Sequence, residues 1–404
     1  MHFIRTPMFL SVRDVFEYGL AFVTIFITVF FLLIFMENRG RMRSTPALPK
    51  HLPGLTILIP AYNEQETIAG TIESALAADY AKGRKEIIVV DDGSKDATLQ
   101  IAQKYEKRGV LVLHRANAGK AAALNFGLTK VKTELVATLD SDSYIEKGAL
   151  LKMVGYFEDP EVGAVTSVMK VWEPRNTLEK LQRLEYLLMV FSRRLMSFID
   201  SVNVTPGPLS MFRKRVFDEI GGYDEKSILE DQELAMRMQA HHYRIAASMD
   251  AVVHTVVPRS LGALAKQRVR WQRGGVRNIL KHYYLMNPKY GDFGMVMMPI
   301  SILSVLALFL VFFIMGYYLL NGTLGLFFEF GPQALWLGLR PLHVISLIIL
   351  LCSVVWAVIG LRQLRGEALS PLWLALYVLF YAPVITFFWI ITAFKELKME
   401  RLRW

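Results

Sequence analysis

The sequence predicts an α/β domain, built on a mostly parallel sheet with helices on both faces, inserted between transmembrane helices. Three observations predict it. Long uncharged apolar stretches lie near both ends of the 404-residue chain. Between them, short apolar runs alternate with amphipathic segments, the pattern of a sheet covered on both faces. Acidic residues recur where those runs end, and ligands of such sheets bind beyond the carboxyl ends of the strands.

The membrane elements come first. Tyr18 to Met36 carries no charge over 19 residues, Phe293 to Leu320 none over 28, Pro341 to Leu361 none over 21 and Pro371 to Phe394 none over 24. A spanning helix needs about 20 apolar residues, so four spans are expected. The first run is too long for a cleavable signal peptide and no small-x-small site follows it, so it is expected to stay as an anchor. The one cysteine, Cys352, sits inside a span, which excludes a disulfide framework within the chain. A net charge of +10 agrees with Lys and Arg gathered on cytoplasmic flanks. Arg39, Arg41, Arg43 and Lys50 follow the first span, which places 54–292 in the cytoplasm and the N-terminus outside. The basic residues lie beside spans and form no nucleic-acid module, so no nucleic-acid partner is expected. Four simple spans would leave the basic tail, Lys395 to Trp404, outside, against the positive-inside rule. A re-entrant stretch, an extra element within 322–339, or a break at Pro383 would resolve this, and all three stay open.

The organisation expected is a span over 1–40, a basic Pro-rich linker over 41–53, a catalytic domain over 54–258, an interfacial segment over 259–292 and a membrane region over 293–404. Pro46, Pro49 and Pro53 discourage helix in the linker. Leu55 to Pro60 reads as a buried strand, Gln65 to Ala78 as a helix, Glu86 to Asp91 as a strand and Asp96 to Lys107 as a helix. Val110 to His114 follows as a strand, Lys120 to Lys130 as a helix and Leu135 to Asp140 as a strand. Gly163 to Val171 is a further strand. Thr177 to Asp200 is a long helix with an apolar stripe and a face carrying Lys180, Arg183, Arg193 and Arg194, which suits a membrane interface; an ordinary domain helix is the plain alternative.

Several strand-end residues carry chemistry. Tyr62, within Pro60-Ala-Tyr-Asn-Glu64, can stack on a base or simply pack. Asp91 and Asp92 suit hydrogen bonding to a base or ribose, with Gly93 making the turn and Ser94 able to cap the next helix. Lys120 follows the glycine turn of Asn117-Ala-Gly119 and opens a helix, a good place for phosphate oxygens. Asp140 and Asp142 form a hard-oxygen pair for Mg²⁺ or Mn²⁺ bound to a diphosphate. Glu230 and Asp231 open a helix, where acids are favoured in any case; the chemical reading is a base for an acceptor hydroxyl. Arg270 can clamp a pyrophosphate and Trp271 can stack on a sugar. Lys266, Arg268, Arg273, Arg277 and Lys281 could hold the segment against anionic lipid.

Taken in order, Pro60-Ala-Tyr-Asn-Glu64, Asp91-Asp-Gly-Ser94, Asn117-Ala-Gly-Lys120, Asp140-Ser-Asp142, Glu230-Asp231 and Gln267-Arg-Val-Arg-Trp271 resemble the processive branch of glycosyltransferase family 2. That branch includes poly-N-acetylglucosamine, chitin, hyaluronan and cellulose synthases. The resemblance covers nearly the whole chain and implies a GT-A-type nucleotide-sugar-binding domain. It implies that Tyr62 and Asp91 hold uridine, with Asn63, Glu64 and Asp92 beside them, and that Lys120 binds the diphosphate. Asp140 would contact nucleotide and metal, Asp142 the metal, and Asp231, next to Glu230, would be the base. Gln267, Arg270 and Trp271 would shape the acceptor end. Pro206-Gly-Pro-Leu-Ser210 occupies the place of an acceptor-site loop in a less standard form, and Leu229 stands where threonine is common. The implied activity is transfer of sugar from a UDP-sugar, N-acetylglucosamine being the favoured donor, to a growing β-linked glycan threaded outward through the membrane. Membrane lipids and a small accessory membrane subunit are further expected partners. The alternative is a non-processive enzyme making a glycolipid or lipid-linked sugar. A scaffold without activity would need degraded metal or base positions, and none is degraded.

Overall fold

The computed structural model describes residues 12–306, 309, 341–364 and 370–398. They fall into two units, Met1–Arg39 with Pro299–Ile359, and Gly40–Met298 with Gly360–Trp404. In the first unit, helix α1 (Val12–Asn38) is uncharged from Tyr18 to Met36, and the Phe35 ring meets Trp356 edge-on at 6.4 Å. The expected span over 293–320 is described only as far as 306, and the element suggested for 322–339 lies outside the described residues, as do 399–404.

The second unit holds an eight-stranded sheet. Its strands are β1 (Leu55–Ala61), β2 (Lys85–Asp91), β3 (Val110–His114), β4 (Leu135–Thr138), β5 (Ser143–Ile145), β6 (Val162–Val171), β7 (Ser210–Arg213) and β8 (Arg244–Thr255). The order is β3-β2-β1-β4-β7-β6-β8-β5. The half formed by β3, β2, β1 and β4 is parallel, whereas β7 runs antiparallel to both its neighbours and β5 antiparallel to β8. The sheet is therefore mixed, more so than the apolar runs suggested. Within the parallel half, β1 lies between β2 and β4 and helices cover both its faces, so every one of its residues is buried.

Helices α2 (Ile68–Ala77), α3 (Thr98–Gln103), α4 (Lys120–Leu128) and α5 (Ala149–Val154) follow β1, β2, β3 and β5. α6 (Thr177–Phe198) starts from a capping box between Asn176 and Glu179. α7 (Lys214–Ile220), α8 (Glu230–Ala240) and α9 (Leu261–Lys281) complete the domain, and helix α10 (Phe293–Leu306) follows. α11 (Pro341–Gln363) and α12 (Pro371–Leu397) lie in the C-terminal region.

Among the described residues, two segments, Ala21–Arg41 and Pro371–Leu397, are helices long and apolar enough to cross a membrane. α12 does not break at Pro383. It forms a π-turn over Tyr377–Tyr381 just before the proline, where the missing N–H and the ring would disturb an α-helical turn.

α6 buries part of the face expected to be basic. Leu187 and Val190 pack on Val168, Met249 and Val252 of the sheet, while Arg193 and Arg194 are only 4% and 5% exposed. Arg194 is satisfied by backbone: Nη1 donates to the Ala247 carbonyl at 2.8 Å, Nε to Met42 at 3.2 Å and Nη2 to Arg41 at 2.7 Å. Its guanidinium also stacks on Phe198 at 4.6 Å. A basic helix face thus became a buried anchor for the linker. Removing it by Arg194→Ala should leave those carbonyls unpaired, at about 1–3 kcal/mol. The expected result is faster tryptic cleavage after Arg41 and Arg43, with wild-type cleavage rates arguing against the anchor.

Candidate active site

The loops leaving β1 and β2 are laced together. Asn63 adopts φ of +56°, a conformation that asparagine tolerates. Its N–H donates to Ser94 Oγ at 3.0 Å and its Oδ1 accepts from Lys95 N at 2.8 Å. Glu64 N donates to Thr98 Oγ1 at 2.7 Å. Ser94 therefore ties the loops and does not cap α3; Asp96 Oδ1 takes the Thr98 N–H instead at 3.0 Å. Tyr62 is left exposed at the strand exit.

Asp91 and Asp92 divide their work. Asp92 is buried and accepts from Ala118 N at 3.2 Å and Gly119 N at 2.7 Å, so it holds the turn before α4. Asp91 is fully buried, with Oδ2 2.8 Å from His114 Nδ1 and accepting from Ser94 N at 3.2 Å, while Oδ1 has no protein partner. A buried acceptor without a donor is costly, and it suits a ligand N–H. His114 escaped the sequence reading, although β2–β3 register places it directly opposite Asp91.

Lys120 joins two acid clusters. Its Nζ lies 2.5 Å from Asp140 Oδ1 and 3.4 Å from Glu230 Oε1. Burial pushes the ammonium down, but Asp140, Glu230 and Asp231 outweigh it and hold the group above the usual lysine range. Burial and neighbouring Glu230 push Asp231 up to about 7, against the pull of Lys120 and a hydrogen bond from Gln232 N at 2.7 Å. Thr205 anchors the same turn, donating through Oγ1 to the Asp231 carbonyl at 2.9 Å. Burial also lowers the Arg193 guanidinium to about 10, with Asp231 as its opposing charge.

Asp142 is pushed up to about 7 by burial and by the charges of Asp140 and Glu64, although Ser143 Oγ donates to its Oδ1 at 3.1 Å. Carboxylates crowded in this way fit a divalent cation, which would relieve their repulsion. Among the described residues no group of three or more His, Cys, Asp or Glu side chains could hold a metal ion. An ion held by Asp140 and Asp142 would thus need oxygens from water or substrate, as Mg²⁺ prefers.

α9 carries the Gln267, Arg270 and Trp271 set on one face, at helical spacing. Trp271 packs partly buried against the main core, and Arg270 is half-buried. Of the neighbouring basic residues, Arg268, Arg273, Arg277 and Lys281 are engaged by acids of the chain. Arg268 and Arg273 are 3% and 1% exposed and pair with Glu185 and Glu396. Arg277 reaches Glu396 at 3.1 Å, and Lys281 reaches Asp224 and Glu233 at 2.7 Å. Acids distant in sequence supply these partners, which no local pattern reveals. α9 also pins the start of α8: Asn278 Nδ2 donates to the Leu229 carbonyl at 2.9 Å, and a Cβ on Gly274 would lie 2.7 Å from Leu229 Cβ. Leu229 is therefore a packing residue.

This sheet, with acids at the carboxyl ends of its parallel strands, has the GT-A architecture. Among solved structures it is similar to a mannosyltransferase from Pyrobaculum calidifontis in complex with GDP-Man and Mn²⁺ (TM-score 0.61, 20% identity, covering 85% of this chain and 98% of that one). Residues 56–221 match the Glycosyl transferase family 2 model. The chain is 33% identical over 270 residues to poly-β-1,6-N-acetyl-D-glucosamine synthase of Staphylococcus aureus strain COL, covering 66% of this chain and 65% of that one. It is 31% identical over 276 residues to the synthase of the same name from Staphylococcus epidermidis, covering 66% of each. The chain thus spans 65–66% of the length of these curated relatives. Residues 56–221 thus carry a glycosyltransferase family 2 domain.

Gly207, in the Pro206–Ser210 loop, gives the sharpest test of the site's geometry. A Cβ there would lie 2.5 Å from both Asp140 Oδ2 and Lys120 Nζ. Gly207→Ala should lower sugar transfer at least about tenfold by displacing this pair, with an unchanged melting temperature in detergent. Wild-type transfer would show that the loop does not abut the pair.

Proposed function

We propose that this enzyme is a multi-pass plasma-membrane synthase with its catalytic domain in the cytoplasm. It transfers N-acetylglucosamine from UDP-N-acetylglucosamine to the growing end of a β-linked polysaccharide, which leaves through the C-terminal spans. The similarity to poly-β-1,6-N-acetyl-D-glucosamine synthases supports the donor and product. The observation that carries the chemistry is Lys120, whose Nζ sits between Asp140 and Glu230 and so draws the donor end and the base end into one cluster.

In this reading Tyr62 stacks on uracil while Asp91 Oδ1 accepts from it. Asn63, Glu64 and Asp92 shape the two loops around the nucleoside. Lys120 binds the diphosphate. Asp140 and Asp142 hold Mg²⁺ or Mn²⁺, which neutralises charge on the leaving diphosphate. Asp231 takes the proton from the acceptor hydroxyl as that oxygen bonds to the anomeric carbon. The bond from that carbon to the diphosphate oxygen breaks on the opposite face, UDP departs and the configuration inverts. Glu230 is engaged by Lys120, which leaves Asp231 as the base. Gln267, Arg270 and Trp271 shape the acceptor end, where Trp271 stacks on the sugar.

A base held near 7 must lose its proton to act. At saturating metal, kcat/KM should therefore fall about tenfold per pH unit below 7 and level off above it; a flat profile between pH 5.5 and 8 would remove Asp231 from this role. Asp231→Asn should abolish transfer while UDP still binds, as read by calorimetry, and parallel loss of UDP binding would make Asp231 structural. Turnover of the full chain in nanodiscs with a panel of UDP-sugars tests the function itself. A long, β-hexosaminidase-sensitive polymer from UDP-N-acetylglucosamine is expected. A product of one or two sugars on lipid would establish the glycolipid alternative.

A further inference from the structure

Beneath the Trp271 indole lies a buried network that joins α9, α6 and the C-terminal membrane helix. The Arg268 guanidinium carbon sits 4.2 Å from the Trp271 ring centroid and 6.0 Å from that of Tyr186. Its Nη1 donates to Gln267 Oε1 at 2.5 Å and its Nη2 to Glu185 Oε2. That same carboxylate oxygen accepts from Tyr381 Oη at 2.7 Å. Tyr381 is 3% exposed and closes the π-turn of α12, with the Tyr377 ring stacked on it at 5.5 Å. Around it, Leu181, Leu264, Val269 and Phe388 form an apolar cluster that excludes water from the network.

A fully buried arginine is costly to hold and is strongly oriented by its partners. Here each partner fixes one edge of a planar group whose face lies on the indole. π-turns recur at functional sites because the extra residue re-aims a side chain, and this one aims a hydroxyl at the carboxylate that fixes Arg268.

We propose that Arg268 is the positioning residue for the Trp271 acceptor platform, and that Glu185 and the π-turn residue Tyr381 set its orientation, so that the C-terminal membrane helix is coupled to acceptor binding. The inference rests on the reading of Trp271 as an acceptor contact. Arg268 touches no reacting atom and acts through the indole.

The test uses the full chain in nanodiscs with UDP-N-acetylglucosamine and Mg²⁺, comparing wild type, Trp271→Ala, Arg268→Lys and Tyr381→Phe. Product length, UDP released per sugar incorporated, donor KM and melting temperature are measured. Lysine keeps the charge but not the planar face, and phenylalanine keeps the ring but not the O–H. Arg268→Lys should raise UDP release per sugar incorporated about tenfold and Tyr381→Phe about threefold, with shorter products and an unchanged donor KM, the scale of one charge-assisted hydrogen bond. If Trp271→Ala shifts product length while both other variants match wild type, the inference falls and the acceptor role of Trp271 stands. If Trp271→Ala itself changes neither product length nor coupling, the acceptor reading falls first. A lowered melting temperature with unchanged product length would make the network purely structural, which also overturns the inference. Should Arg268→Lys fail to insert, Tyr381→Phe alone decides.

Discussion

One half-buried ammonium holds the two acid clusters of this site together. Lys120 opens α4 in surroundings where burial disfavours its charge, and Asp140, Glu230 and Asp231 restore it. The arrangement is reciprocal. Without the lysine, acids from β4's exit and from α8's first turn would face each other unscreened, and their repulsion would open the site. With it, the carboxyl end of the parallel sheet and the N-terminus of α8 meet in one charged cluster. Gly207 abuts the pair, because any larger residue would collide with it.

The second constraint is α9, which works as a strut. Glu233 of α8 takes Lys281 Nζ at 2.7 Å, His282 Nε2 at 3.2 Å and Arg237 Nε at 2.8 Å. Burial would raise that carboxyl, yet these partners hold it at about 2. The first turn of α8 is therefore clamped twice: at Leu229 by Asn278 and Gly274, and at Glu233 by Lys281, His282 and Arg237. α12 packs on α9 through Val269, Tyr381 and Phe388. α9 thus touches both α8 and a helix long and apolar enough to cross a membrane, which in the proposed function would link sugar transfer to events in the membrane.

Much of the fold was legible because the parallel strands are buried on both faces and so appear as unbroken apolar runs. β3 occupies Val110–His114 as read, and β1 extends one residue past its reading, to Ala61. The antiparallel half was less visible. β5 and β7 are strands of three and four residues, too short to show a period. The expected helix over Asp96 to Lys107 shrank to Thr98–Gln103 followed by a 3₁₀ turn, since Asp96 turns back on Thr98 and Gly109 ends the segment in a left-handed conformation. The site residues were visible as strand-end acids and helix-opening charges, but their partners were not. Arg194 and Arg268 looked like solvent or lipid-facing cations because the groups that satisfy them, backbone carbonyls of the linker and β8 and the Glu185 carboxylate, lie far away in sequence.

The central claim is that Lys120 unites donor binding and base in one electrostatic unit. Its most direct measurement is calorimetric UDP binding, with Mg²⁺ present, to wild type and Lys120→Met. The account predicts that UDP affinity falls at least about tenfold, on the scale of a lost charge-assisted contact, while the melting temperature in detergent drops because the acids lose their counter-charge. Unchanged UDP affinity in a folded Lys120→Met protein would contradict it, and would leave the Lys120–Asp140 pair as a structural ion pair beside a nucleotide bound elsewhere.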